Sequence, residues 1–122
     1  MTQSKYLANL NVHALNAMQT ASLEAINQNK DLVLISPTGS GKTLAYLLPI
    51  IDLLDVKSNA VQALIIVPTR ELAQQIEQVF KQMGTGFKIT CCYGGHEVKK
   101  ERKKMRMSSS ENRRQIHTNT HP

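Results

Sequence analysis

The sequence predicts an α/β fold built on a mostly parallel sheet of about three strands. Short apolar runs at 32–35 (LVLI), 61–68 (VQALIIVP) and about 87–93 alternate with longer stretches of helical period. Continuous apolar runs bounded by turn residues mark strands buried on both faces, and strand–helix–strand–helix–strand order calls for parallel neighbours joined by helical crossovers. A third observation is the loop SPTGSGKT at 36–43, between the first such strand and the first crossover helix, where a phosphate-binding loop operates.

Taken in order, residues 12–28 place Val12, Leu15, Met18 or Gln19, Ala21 or Ser22, and Ile26 at helical spacing, so a moderately amphipathic helix in one or two pieces is expected. The polar turn Asn27 to Lys30 leads into the LVLI strand. After the loop a helix covers about Lys42 to Leu54, with Pro49 inside it as an expected kink. VKSNA, 56–60, connects to the second strand. Thr69 is placed to cap a helix whose apolar stripe is Leu72, Ile76, Val79, Phe80 and Met83, and Gly84 supplies its stop. The third strand holds the adjacent Cys91 and Cys92, expected as buried thiols acting as small hydrophobes.

Composition bounds the function classes. A chain of 122 residues forms one domain at most, and with 4% aromatics and no Trp its core comes from Leu, Ile, Val and Ala. No run of 18 apolar residues and no leader pattern is present, so a cytoplasmic protein without a membrane span is expected. The net charge of +6 has a local origin. Residues 1–98 hold seven basic and seven acidic residues, whereas 99–122 hold eight basic and two acidic. A basic segment KKERKKMRM, which can extend a helix begun at Glu97, passes into SSSENRRQIHTNTHP, where Ile116 is the one strongly apolar residue. So little apolar surface does not offset the entropy of ordering a chain, and 108–122 is expected to be a disordered polar, basic tail. Such a tail can bind nucleic acid without sequence preference through counterion release.

The loop carries the clearest chemistry. Gly39 and Gly41 let the backbone turn tightly and present N–H groups to an anion. Lys42 can reach outer phosphates, the Thr43 hydroxyl suits magnesium, and the helix that starts here adds the positive end of its dipole. Ser36 stands where the usual P-loop pattern has Gly, a small-for-small exchange. No convincing catalytic acid is found: Asp52 lies on the helix leaving the loop, and Glu71 lies at a helix start where capping is the simpler role.

With PTRELA at 68–73 added to these features, the chain resembles the start of a DEAD-box ATP-dependent RNA helicase. MQTASLEAI resembles that family's Q motif with Gln19 as its glutamine, SPTGSGKT its motif I, PTRELA its motif Ia, and Gly94 with Gly95 its GG element. The usual P-T-P-I-Q is replaced by L-N-A-M-Q, and Tyr6 is the upstream aromatic candidate for stacking on adenine. The resemblance implies an incomplete RecA-like P-loop NTPase domain, three-layer α/β/α, over 1–107. It implies ATP and Mg2+ as cofactors, held by Gln19, Ser36, Thr38, Gly39, Ser40, Gly41, Lys42 and Thr43, with Thr43 on the metal. It also implies RNA, single-stranded or duplex, as the partner of Pro68, Thr69, Arg70, Gly94 and Gly95, and a second RecA-like domain required for activity.

The resemblance runs from residue 6 to about 105, and the T-P-G-R, D-E-A-D and S-A-T segments do not follow. The sequence therefore reads as a fragment that binds ATP and RNA but neither hydrolyses ATP nor unwinds RNA alone. The readings left open are a non-enzymatic nucleotide- or nucleic-acid-binding module and a P-loop NTPase of another class. Without the strand that flanks it in the related fold, the LVLIS edge is an expected aggregation liability.

Overall fold

The computed structural model describes residues 2–29, 31–92 and 115–120. The chain divides into two compact units, Met1–Leu53 and Leu54–Pro122.

The first unit contains α1 (Thr2–Asn9), α2 (Ala17–Gln28) and α3 (Lys42–Leu53). The helix expected over 12–28 begins only at Ala17, and α1 was not anticipated. The boundary follows from Asn16, whose extended backbone and side chain form the N-cap of α2, with a capping box closed by Gln19. Before it, Asn11 adopts the left-handed conformation with φ 58° and ends the preceding turn. α2 packs on α3, and the core of this unit is Tyr6, Leu44, Ala45, Leu47, Leu48 and Ile51.

Pro49 lies inside α3 and is buried there, yet the helix continues through it to Leu53. Proline has no N–H for the carbonyl four residues back, which is that of Ala45. The Ser22 hydroxyl of α2 donates to that carbonyl at 3.1 Å in the buried seam between the two helices. A side chain of one helix thus supplies the donor that the other lacks.

LVLI, expected as a strand, is not one: residues 31–37 have no regular secondary structure, and Val33 and Ile35 are 85% and 91% exposed. An apolar run becomes a strand only where a neighbouring strand takes up its backbone groups, and no described strand pairs with it.

The second unit contains β1 (Val61–Val67), α4 (Arg70–Met83), β2 (Lys88–Cys92) and β3 (Gln115–Thr120). The sheet order is β1-β3-β2, and both pairings are parallel. A parallel sheet of three strands is therefore present, but its third member is not the expected one. Gln115–Thr120 falls within the segment read as disordered, and it is the central strand, Ile116 pairing with Ala63 on one side and Ile89 on the other. The polar composition of QIHTNT signalled little to bury. The backbone hydrogen bonds that a central strand makes with two neighbours do not depend on side-chain polarity, and Ile and Thr fit a pleated surface. The basic segment from Glu97 lies outside the described residues.

α4 matches its sequence signals. The Thr69 hydroxyl accepts from the Leu72 N–H at 3.2 Å, and Gly84 ends the helix in the left-handed conformation, φ 69°, its N–H donating to the Lys81 carbonyl. The buried stripe is Ala73, Ile76, Phe80 and Met83; Leu72 and Val79 are only half-buried. β1, expected to be buried on both faces, buries Ile65 and Val67 but exposes Leu64 (58%) and Ile66 (53%). Cys91 and Cys92 are buried and not disulfide-bonded, as expected. Among the described residues no helix is long and apolar enough to cross a membrane.

Candidate functional site: a glycine-rich loop braced by α2

The loop of residues 36–43 is tied together by its own side chains. Ser40 Oγ donates to the Pro37 carbonyl at 2.6 Å and lies 2.7 Å from Ser36 Oγ. A hydroxyl has one hydrogen, so with that of Ser40 committed it is Ser36 that donates across the loop. The serine that replaces glycine at the first position thus has a bracing role here. Lys42 Nζ donates to the Ser36 carbonyl at 2.9 Å, which joins the two ends of the loop.

α2 then fastens the loop from outside. Asn16 Nδ2 donates to the Ser40 carbonyl at 2.9 Å, and Gln19 Nε2 donates to the Gly41 carbonyl at 3.1 Å. The two residues are set for this by the capping box, in which Asn16 Oδ1 accepts from the Gln19 N–H at 2.8 Å and Gln19 Oε1 accepts from the Asn16 N–H at 2.9 Å. Gln19 is 5% exposed, so it is not the surface residue that its helical position alone would allow. Its amide has two N–H groups and two lone pairs; these side-chain bonds use one of each.

Gly41 is the tightest point of the assembly. Its φ is 89°, and a Cβ added there would overlap the Gln19 amide nitrogen. No other residue type meets both conditions. Gly39, φ 82°, faces open space. α3 starts at Lys42, so the first-turn amides of Lys42, Thr43 and Leu44 have no partner within the helix. Positive-φ turns, outward amides and a lysine at a helix start fit an anionic phosphate ligand.

Thr43 has a neighbour one turn along α3. Burial pushes the Tyr46 phenol above its ordinary value of 10.0, and the nearby Thr43 side chain opposes the rise.

The expected site residues do not all come together. Gln19, Ser36, Ser40, Gly41 and Lys42 form the bonded cluster, Thr43 opens α3 beside it, and Thr38 is exposed at the loop tip. Pro68, Thr69 and Arg70 belong to the other unit, where all three are exposed around the start of α4. Gly94 and Gly95 lie outside the described residues. Tyr6 is in the core of the first unit, which removes it as an adenine-stacking candidate. Asp52 Oδ2 accepts from Gln3 Nε2 at 3.0 Å, and Glu71 sits in the first turn of α4. An open recess of about 350 Å³ lined by Ser4, Leu7, Ala8, Asn11, Val12 and His13 contains none of the expected residues. Sequence reasoning missed Asn16 and Ser22. An Asn three residues before a Gln is a capping-box signal that would have found Asn16; Ser22 has no such local signature.

Comparison with known proteins gives the family and the fold of the chain. The family model described as DEAD/DEAH box helicase matches residues 16–121. The match extends past residue 105, where the motif resemblance stopped, and takes in β3. The chain is 42% identical over 87 residues to the DEAD-box ATP-dependent RNA helicase RhpA of Helicobacter pylori, covering 69% of this chain and 17% of that protein. It is 37% identical over 92 residues to the ATP-dependent RNA helicase eIF4A of Mycosarcoma maydis, covering 74% and 22%. Among solved structures, the DEAD-box helicase Mss116 bound to ssRNA and UDP-BeF superposes with a TM-score of 0.77 at 28% identity, over 95% of this chain and 25% of that one. A hypothetical ATP-dependent RNA helicase from Sulfolobus tokodaii gives 0.76 at 26%, over 98% and 33%. The chain spans between 12% and 26% of the length of the curated relatives it matches.

Proposed function

Since the chain belongs to the DEAD/DEAH box helicase family, with a RecA-like α/β fold, we propose that it supplies the ATP-binding and RNA-binding portion of a DEAD-box ATP-dependent RNA helicase. The observation that carries this reading is the bond from Gln19 to the Gly41 carbonyl, which couples the base-reading candidate directly to the phosphate loop.

In this reading the phosphates rest on Gly39, Ser40, Gly41 and the first-turn amides of α3, braced by Ser36, with Thr38 at the rim. Lys42 exchanges the Ser36 carbonyl for a phosphate oxygen, a stronger, charge-assisted partner. Mg2+ would be held by Thr43 and would neutralise phosphate charge when bound. The remaining N–H and lone pair of the Gln19 amide match the donor and acceptor edge of adenine, which selects ATP over GTP. Pro68, Thr69 and Arg70 meet RNA phosphates from the exposed start of α4, with Gly94 and Gly95 assigned to the same partner, single-stranded or duplex. The part of this chain is binding: Asp52 and Glu71 already have structural roles, and hydrolysis and unwinding belong with a second RecA-like domain.

The test is equilibrium binding of ATP and GTP to the 122-residue chain with Mg2+, alongside Lys42→Ala and Gln19→Ala. ATP should bind in preference to GTP, Lys42→Ala should abolish binding, and Gln19→Ala should remove the preference. Equal binding of both nucleotides, unchanged by Gln19→Ala, would refute the assignment.

A further inference from the structure

The contact between Asn16 and the glycine-rich loop reaches beyond the capping of α2. Asn16 Oδ1 accepts from the Gln19 N–H at 2.8 Å, and Asn16 Nδ2 donates to the Ser40 carbonyl at 2.9 Å. A backbone N–H only donates and a carbonyl only accepts, so these two partners fix which way round the amide stands. One side chain therefore caps a helix with its oxygen and holds the loop with its nitrogen. The same nitrogen lies 3.5 Å from where a Gly41 Cβ would stand, so it abuts the peptide that joins Ser40 to Gly41.

The orientation of that peptide decides where an anion-binding amide points. In a planar trans peptide the C=O and the following N–H point in opposite directions, so a Ser40 carbonyl turned toward Asn16 turns the Gly41 N–H away from it. Flipping this peptide changes ψ of Ser40 and φ of Gly41, and glycine accepts φ of either sign, so the peptide has no steric lock of its own. The next peptide differs. The Gly41 carbonyl accepts from the Ala45 N–H at 3.3 Å as well as from Gln19, and is thereby held by α3 itself. The Ser40 carbonyl lies one residue before that ladder, and its partner is Asn16.

We propose that Asn16 is a positioning residue for phosphate: it locks the Ser40–Gly41 peptide so that the Gly41 N–H stays presented to the phosphates of a bound nucleotide. The proposal rests on the ATP-binding reading above and divides the work of α2, with Gln19 reading the base and Asn16 acting on the phosphates. In L-N-A-M-Q, Asn16 stands where P-T-P-I-Q has Thr, whose hydroxyl can cap a helix but brings no amide nitrogen.

The experiment is competition of ATP, GTP and inorganic tripolyphosphate against a fluorescent N-methylanthraniloyl ATP on the 122-residue chain with Mg2+. Wild type, Asn16→Ser, Asn16→Asp and Gln19→Ala are compared, and the urea midpoint of each is measured beside its affinities. Serine caps a helix about as well as asparagine but ends one bond short of the amide nitrogen. Asn16→Ser is expected to weaken all three competitors by one common factor of about two- to tenfold, the range of one hydrogen bond, with the ATP-to-GTP ratio and the urea midpoint unchanged. Asn16→Asp keeps the shape and the cap but sets an oxygen without a hydrogen against the Ser40 carbonyl, and should lose at least as much. Affinities equal to wild type in either variant would overturn the proposal. Tripolyphosphate has no base, so a loss confined to ATP and GTP would assign Asn16 to the base and overturn it as well, as would wild type that bound ATP but not tripolyphosphate. A loss accompanied by a lower urea midpoint would reduce Asn16 to a helix cap and overturn it too. If wild type bound no nucleotide, the ATP-binding reading itself would fall and this proposal with it. A preference for ATP removed by Gln19→Ala, with every affinity untouched by Asn16→Ser, would sink only the role of Asn16.

Discussion

Replacing Ser22 by Ala tests the seam between α2 and α3. In the wild type the Ala45 carbonyl is four residues before Pro49 and receives no helical N–H; the Ser22 hydroxyl replaces it at 3.1 Å. Ala45 is fully buried and Ser22 nearly so, so water cannot take over when the hydroxyl is removed. A buried acceptor left unsatisfied costs about 1–3 kcal/mol. With a urea m-value of about 2 kcal/mol/M, a loss of about 2 kcal/mol lowers the unfolding midpoint by about 1 M. Urea unfolding followed by far-UV circular dichroism reads that shift. The control is Pro49→Ala, which restores an N–H to the same carbonyl. Whatever Pro49→Ala does alone, through helix propensity and through the space it leaves in the core, Ser22→Ala made on top of it should cost less than about 0.5 kcal/mol, because the carbonyl then has a donor within its own helix. Two results would refute the reasoning: a Ser22→Ala midpoint equal to wild type, or the same loss in both backgrounds.

At Gly41, substitution by Ala sets a Cβ against the Gln19 amide at a φ of 89°; nucleotide affinity should fall more than about tenfold, measured by titration, while Gly39→Ala, with open space around it, should be milder. Gly84→Ala places a side chain on a left-handed C-cap and should lower stability by about 1–2 kcal/mol in the same urea assay, with nucleotide affinity unchanged. Arg70→Ala should weaken single-stranded RNA binding to a similar extent for all sequences and reduce the salt slope by about one, read by fluorescence anisotropy at several salt concentrations. Leu64→Lys with Ile66→Thr, on the exposed face of β1, should shift stability by no more than about 0.5 kcal/mol per residue and reduce self-association in sedimentation.

Local signals proved reliable where the physics is local. Thr69 and Gly84 delimit α4 by satisfying orphan backbone groups within a turn of themselves, and SPTGSGKT forms its turn because Gly39 and Gly41 can take positive φ. Such features need no distant partner. By contrast, the strand assigned to LVLI needs a hydrogen-bonding neighbour, and among the described strands it has none. Gln115–Thr120 shows the converse. Its composition argued for disorder, yet two parallel neighbours recruit its backbone.

By itself the sequence determined the α/β class, the helix α4 with both caps, the glycine-rich loop and the motif set that points to the DEAD-box helicases. Each of these depends on residue type and short spacing. Only the tertiary structure decided which segments pair into the sheet, that Ser22 compensates Pro49, and that Gln19 is buried against Gly41. Those outcomes depend on where a hydrogen-bonding group of one element meets an unsatisfied partner on another, and residue spacing along the chain carries no record of such meetings.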